Sequence, residues 1–214
     1  MKKRHLVIIV IIVLAILLRI IFLQLRPLHS DESVNYYFAK NILDGFGFSY
    51  NPFNYHGPFY FYLIAFSFFY LGISEFSLRF PAALAGIILS IFPLFLKFKD
   101  KKFDKIGKYI ASIFLLISPS ILYYSRYSIH ESIFILFSFL FMYYLTKILE
   151  KKNLEYLPFA LIYLAVLFTI KETVIILLPV IVVICAYNYK QIKKIDFKGN
   201  ITIIMISLLI FFFI

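Results

Sequence analysis

The sequence predicts an all-α polytopic membrane protein, with about seven transmembrane helices plus two external juxtamembrane helices. Three observations carry that expectation. The 214 residues are 63% hydrophobic and 21% aromatic, with mean hydropathy +0.91, far above the roughly 45–50% apolar content of soluble domains. Eight apolar runs recur at about 6–25, 58–73, 78–96, 109–124, 132–146, 156–170, 173–187 and 201–214, several of them shorter than the roughly 20 residues a spanning helix wants. The charges collect in the short segments between those runs.

Taken in order, the basic residues Lys2, Lys3 and Arg4 precede a run that continues past Arg19 to Leu25. No small-residue cleavage site interrupts it, so an uncleaved anchor is expected. Ser30-Asp31-Glu32 opens a stretch with Val34, Tyr37, Phe38 and Ile42 at helical spacing, closed by Asp44-Gly45, the pattern of a first juxtamembrane helix. Asn51 to Pro58 reads as an irregular turn set by proline and glycine. The run from Pro58 to Ile73 is rich in Phe and Tyr and marginal for crossing a core of about 30 Å. The later runs are separated by lysine-bearing loops. The last ends at Ile214 with no flanking polar anchor, and the expectation is a chain cut inside a helix. No soluble domain or repeat interrupts residues 1–214, which are expected to form a single membrane domain. The lone Cys185 excludes an internal disulfide or a cysteine-type zinc site.

Topology follows from charge. If Pro58 to Ile73 lies flat or re-entrant, one side of the membrane receives Lys2, Lys3 and Arg4. The same side receives Lys97, Lys99, Lys101, Lys102, Lys105 and Lys108, then Lys147, Lys151 and Lys152, and finally Lys190, Lys193, Lys194 and Lys198. Sixteen of the 22 basic residues then lie together. The other six (Arg19, Arg26, Lys40, Arg79, Arg126, Lys171) face six acids, so the whole +11 sits on the cytoplasmic side. A spanning second run would move thirteen of those lysines outside, against the positive-inside rule. A nucleic-acid partner is excluded on the same ground, because the lysines occupy short loops between apolar spans. The expectation is therefore a multi-pass protein of the cell membrane, amino terminus cytoplasmic, with residues 26–77 forming one long external loop.

That arrangement brings Asp31-Glu32, His56, Arg126, His130-Glu131 and Lys171-Glu172 to the external face. Ionisable residues at such depth are functional candidates by default. Each has a plainer reading. Asp31 fits an N-cap as well as a catalytic carboxylate, and the two are compatible. His56 fits a solvated loop, Arg126 and Lys171 fit snorkelling cations, and Glu131 and Glu172 fit simple ion pairs with basic neighbours. Their shared side is the stronger observation. Together they suit transfer of a group from a lipid phosphate, with a carboxylate to deprotonate an incoming hydroxyl and a planar guanidinium for the phosphate. His29, Asp31, Glu32, His56, His130 and Glu131 include enough donors for a divalent metal ion, with Glu32, His56 and Glu131 the candidate ligands. They lack a recognised ligand spacing.

The ordered set His29-Ser30-Asp31-Glu32 with Tyr36, Tyr37 and Ala39, then Tyr55-His56-Gly57-Pro58-Phe59-Tyr60, Ser74 to Ala82, Tyr123-Tyr124-Ser125-Arg126 with Glu131, and Thr169-Ile170-Lys171-Glu172 resembles the GT-C fold lipid-phosphosugar glycosyltransferases. The likeness is strongest to the protein-mannosyltransferase and aminoarabinose-transferase branch, and the Gly57-Pro58 form is most similar to archaeal, flippase-associated relatives. Family members commonly carry Asp where this chain has Glu131, and one residue is inserted in the Thr-Lys-Glu element. The resemblance implies that Asp31 is the base activating the acceptor hydroxyl, with Glu32 or Glu131 orienting groups or a metal. It places Arg126 and His56, with Lys171 and Glu172, at the substrate. It also implies a polyprenyl or dolichyl phosphate sugar donor, a hydroxyl acceptor and inversion by a single displacement. The likeness covers the amino-terminal part of the family's usual length, so a downstream membrane segment or subunit is expected to complete the donor groove and to be required for turnover. A different class of function, a non-catalytic lipid-linked-sugar transport or flippase-associated protein, would use the same external groove.

The topology is testable by thiol labelling. With Cys185 replaced by Ser, single cysteines at Asn54 and Phe103 should react from opposite sides of intact cells, Asn54 from outside. Reaction of both from one side would remove the charge-based assignment.

Overall fold

The structure is a computed structural model that describes residues 2–50, 56–96, 103–197 and 199–213. The lysines at 97, 99, 101, 102 and 198 and the turn residues 51–55 lie outside the described residues, so the expectations placed on them do too. Among the described residues the chain is helical, with one isolated antiparallel bridge, His56 to Lys171, in place of any strand. It divides into two compact units, residues 1–48 with 60–136, and residues 49–59 with 137–214.

In the first unit, α1 (Lys2–Ile20) packs against α4 (Glu75–Ile91) and α5 (Lys108–Ile117), with Ala15, Ile87 and Leu116 at the centre of the contact. Small residues on α4 (Ala82, Ala83, Ala85, Gly86) are buried, which lets the helices approach closely where lipid supplies no hydrophobic drive between them. The first run was expected to continue to Leu25, but α1 stops at Ile20. Phe22 adopts φ 57°, and Arg126 donates to the carbonyls of Leu18, Ile21 and Phe22 at 2.6, 2.9 and 3.2 Å. A cation on the orphan carbonyls of a helix end replaces the next turn.

Helix α2 (Ser30–Leu43) ends where the sequence indicates, with Asp44 as C-cap and Gly45 at φ 89°. Its beginning corrects one reading: the N-cap is His29, whose Nδ1 accepts from the Asp31 N–H at 3.3 Å, while Glu32 reaches back to the His29 N–H at 3.1 Å. Asp31 is thus a first-turn residue and not the cap. Helix α3 (Phe59–Leu71) has 13 residues, about 20 Å of helix, short of a core of about 30 Å. Pro81 lies inside α4 and has no N–H for the Ser77 carbonyl. Ser67 of α3 fills the gap, its hydroxyl donating to Ser77 O at 2.7 Å. Ser118 and Pro119 divide the fourth run into α5 and the short α6 (Pro119–Tyr124).

Helix α7 (Glu131–Lys151) opens at the end of the first unit. The second unit continues with α8 (Leu157–Ile170), a 3₁₀ turn over Glu172–Ile176, α9 (Leu177–Tyr187), α10 (Tyr189–Ile192) and α11 (Ile201–Phe213). Within it α8 packs on α11. Among the described residues two stretches, Glu75–Phe95 and Glu131–Lys151, are both long and apolar enough to cross a bilayer, and five further apolar helices have 10–17 residues.

Buried Arg19 donates to Ser90 Oγ at 2.8 Å and to the Leu115 carbonyl at 3.2 Å. Gly86 makes room for it: a Cβ there would lie 2.3 Å from Ser125 Cβ and 2.9 Å from Arg19 Nε. Alanine would gain about 1 kcal/mol in helix propensity, but overpacking of this kind costs about 1–3 kcal/mol, and Ser125 Cβ cannot rotate away. Gly86→Ala should therefore lower the melting temperature in detergent. A neutral or raised value would show that α4 and the turn at Ser125 can separate freely.

Candidate functional site

The first unit is organised at its polar end by one buried ion pair. Glu32 and Arg79 are both fully buried. Glu32 lies on the stripe Glu32, Asn35, Phe38, Ala39 that α2 turns inward, and Arg79 lies one turn into α4 beside buried Leu78. The contact is two-pronged, with Arg79 Nε donating to Glu32 Oε1 at 2.8 Å and Nη2 to Oε2 at 2.9 Å. Such a planar fork suits a carboxylate.

The remaining capacity of both groups is met by backbone. Glu32 accepts from the Ser128 N–H at 2.8 Å and the His29 N–H at 3.1 Å. Arg79 donates to the carbonyls of Leu23, Arg26 and Pro27 at 2.8, 3.0 and 3.3 Å, and weakly to Glu75 at 3.5 Å. Burial pushes the Glu32 carboxyl upward. The Arg79 hydrogen bonds, the Ser128 and His29 N–H groups and the Arg79 charge outweigh it and hold the carboxyl below its ordinary range. Ser128 is gripped a second and third time: Asn35 Nδ2 donates to its carbonyl at 2.6 Å, and its hydroxyl meets Tyr60 at 3.0 Å. The side chains of Glu32 and Asn35, one helical turn apart, therefore bond both backbone groups of Ser128.

Asp31 is set apart from this network. Its side chain is 67% exposed, with Oδ2 3.6 Å from His29 Nδ1. Adjacent carboxylates on one helix thus have opposite settings, Glu32 sealed inward and Asp31 in water. The turn that carries Asp31 is fixed by the His29 cap and by Glu32 one residue on. The His29 ring stands edge-on to Tyr127, centroids 6.3 Å apart, and the Arg26 guanidinium lies over Tyr127 at 5.5 Å.

The other sequence-predicted residues fall as follows. Arg126 is the α1 cap described above. Glu131 is the first residue of α7, half-buried, where a carboxylate complements the helix dipole. His130 is buried with Tyr60 and Phe61, ring centroids at 4.7 and 5.3 Å. In the second unit His56, Lys171 and Glu172 do come together. Lys171 is extended at the break between α8 and the 3₁₀ turn, it bridges to His56, and the Gly57 N–H donates to Ile170 O at 3.1 Å. A Cβ on Gly57 would lie 2.1 Å from Thr169 O, so glycine is what permits the approach. Tyr50 donates its hydroxyl hydrogen to Glu172.

Among the described residues no three His, Cys, Asp or Glu side chains gather as a metal-ligand set. Both Glu32 oxygens are already committed to a guanidinium and two N–H groups. To ligate a divalent ion Glu32 would have to release Arg79 and these N–H groups.

Sequence reasoning did not assign Arg79, Asn35 or Ser128. A signal was present for the first two, since Glu32 and Asn35 share the helical face of Phe38 and Ala39, and a carboxylate on an inward face needs a cation. Ser128 engages through its backbone and leaves no such trace.

The family model described as dolichyl-phosphate-mannose-protein mannosyltransferase matches residues 55–214. The chain belongs to that family. The match takes in Arg79, Arg126, Ser128, Glu131 and the Lys171 break, and begins after Asp31 and Glu32. Family membership fits the all-helical, strongly apolar chain and makes it a glycosyltransferase-like membrane protein. No curated protein and no solved structure matches it.

The buried pair yields a stability prediction. Removing one partner of a buried ion pair costs about 3–5 kcal/mol, so Glu32→Met or Arg79→Met should each markedly lower the melting temperature. Replacing both by apolar residues is often neutral elsewhere. Here it should not recover stability, because the pair also satisfies two N–H groups and three carbonyls, at Ser128, His29, Leu23, Arg26 and Pro27. A double variant as stable as wild type would refute this. Because the folded Glu32 value is depressed, its contribution is present above the unfolded value near 4.5 and is lost as pH falls through the folded value. Acidification below about 4.5 should therefore destabilise wild type more than Glu32→Met.

Proposed function

We propose that this chain carries the catalytic carboxylate of a membrane glycosyltransferase of the GT-C type. It moves a sugar from a polyprenyl or dolichyl phosphate donor to a hydroxyl acceptor on the external face. The observation that carries the reading is the division of labour between Asp31 and Glu32, an exposed carboxylate on a turn held rigid by a sealed one. Membership of the mannosyltransferase family supports the donor class. Residues 26–77 form the external loop that presents the turn, and the spans number about seven by the charge pattern.

In this mechanism the Asp31 carboxylate takes the proton of the acceptor hydroxyl as the acceptor oxygen attacks the anomeric carbon. The bond between that carbon and the phosphate oxygen breaks, and its electron pair leaves on the lipid phosphate. The products are an inverted glycoside and a lipid phosphate, with the proton on Asp31. Glu32 orients the turn through Arg79 and Ser128 and touches no reacting atom. In the first unit Arg126 is the candidate to face the phosphate, with Glu131 to order it; in the second unit His56, Lys171 and Glu172 are candidates of their own for contact with substrate.

Asp31→Asn tests the reading. Asp31 is a first-turn residue and not the cap, so the change should cost only about 0.3–1 kcal/mol from the helix dipole. Turnover of labelled dolichyl-phosphate sugar by the complete protein should fall by about 10²–10⁴-fold, as for loss of an acid–base group. Unchanged turnover would dismiss Asp31 as base. Protection of the labelled lipid without consumption by wild type would favour the binding-protein reading.

A further inference from the structure

At one end of the second unit two connections lie side by side. Phe168 of α8 meets Phe211 of α11 at 6.1 Å, near the last turn of each helix, and the 3₁₀ turn Leu154–Tyr156 that leads into α8 packs on α11. The two helices therefore run in the same direction, and the connections that precede them share one end. Each connection is pinned by a buried residue, Leu154 in the first and Ile195 in the second. The second is also closed by its own hydrogen bonds, Asn200 Nδ2 donating to Asp196 O at 2.7 Å and the Gly199 N–H to Asp196 Oδ1 at 2.9 Å. Around these pins stand five exposed lysines, Lys151, Lys152, Lys190, Lys193 and Lys194. Among the described residues none of the five is in an ion pair. Exposed rings share the rim: Tyr187 is 88% exposed, and Tyr189 and Phe197 are exposed beside it. Lys193 Nζ lies over the Tyr189 ring at 5.0 Å, and Lys151 Nζ over the Tyr156 ring at 4.8 Å.

We propose that this rim docks on the anionic phospholipid headgroups of the leaflet it faces. Lys190, Lys193 and Lys194 meet the negative surface, while Tyr187, Tyr189 and Phe197 sit in the interfacial layer. Five like charges on two short connections repel one another, and an anionic surface relieves that repulsion. A lysine laid along an aromatic ring keeps its stem on apolar surface and its ammonium at the polar boundary. Tyrosine is enriched at that same boundary, whereas a soluble polyanion would leave these rings in water. Each lysine close to a negatively charged leaflet adds to the attraction, and a zwitterionic headgroup offers no net charge to meet it. The rim lies in the second unit, uses none of the residues assigned to sugar transfer, and stands whether or not the chain transfers sugar.

The test uses the full chain in nanodiscs of phosphatidylcholine with phosphatidylglycerol as a minority lipid. The probe is phosphatidylglycerol with a photoreactive headgroup, its cross-links mapped by mass spectrometry. Wild type should retain this probe in preference to the matching phosphatidylcholine probe, with cross-links on residues 151–156 and 187–197. The preference should fall as salt is raised, because exposed charges are screened. Lys190→Gln, Lys193→Gln and Lys194→Gln combined should lower it by about fivefold or more, the scale of one lysine at an anionic surface. The melting temperature of that variant in phosphatidylcholine alone should match wild type. Arginine at the same three positions should keep the preference. Equal retention of both probes by wild type, or an undiminished preference in the Gln variant, overturns the proposal. So does loss of the preference in a folded Arg variant. The wild-type cross-links decide the matter even where a variant does not fold, since cross-links confined to other residues overturn the docking surface. Protection of the rim by duplex DNA or an acidic peptide at equal charge concentration would assign it to a soluble partner and overturn the proposal as well.

Discussion

The Glu32–Arg79 pair is the constraint on which the polar end of the first unit depends. Two charges removed from water carry a desolvation cost of several kcal/mol each, repaid only when geometry is good and every remaining donor and acceptor is met. Both conditions hold here. Arg79 collects the chain leaving α1 at Leu23, Arg26 and Pro27, while Glu32 fixes the start of α2 and the loop at Ser128. Three stretches distant in sequence, residues 23–32, the first turns of α4 and the loop at Ser128, are thereby tied to one point. None can shift without unpairing a buried charge, so the turn bearing Asp31 has little freedom. Such preorganisation is what the general base proposed above would require, since a misplacement of about 1 Å can cost about a hundredfold in rate.

The elements that were legible in the sequence are those set locally. Apolar runs gave the helices and Asp44-Gly45 gave the end of α2, whereas the run at 109–124, read as one, is divided at Ser118 and Pro119. What was not legible depends on partners far along the chain. The end of α1 moved inward because Arg126, more than a hundred residues later, caps its carbonyls. His29 capped α2 although its neighbours Ser30 and Asp31 are better cap formers on propensity, and Glu32 reached back to complete the box. Asp31 was legible as a candidate. Its separation from Glu32 left only the weaker trace of helical spacing, Glu32 sharing a face with Phe38 and Ala39 while Asp31 does not.

Cations in this unit serve as structural elements as well as candidate ligands. Arg19 meets a serine hydroxyl and carbonyls inside the bundle, Arg79 meets a carboxylate and three carbonyls, and Arg126 meets the carbonyls of a helix end. Arginine is suited to each because its five donors satisfy several acceptors at once and because it is less strongly hydrated than an ammonium.

The same logic governs the helix breaks. Backbone groups released within a membrane protein must be met by protein, and each break here brings its own partner. Ser67 supplies the hydrogen bond that Pro81 cannot make to Ser77 O, and Arg126 covers the carbonyls where α1 stops. In the second unit Gly57 brings its N–H to Ile170 O, where α8 gives way to the extended Lys171. Two of these breaks involve a cationic residue: Arg126 is itself the substitute at the end of α1, and Lys171 pairs through its backbone with His56. A break in a helix is costly, and each of these persists because the hydrogen bonds it loses are replaced from within the same unit.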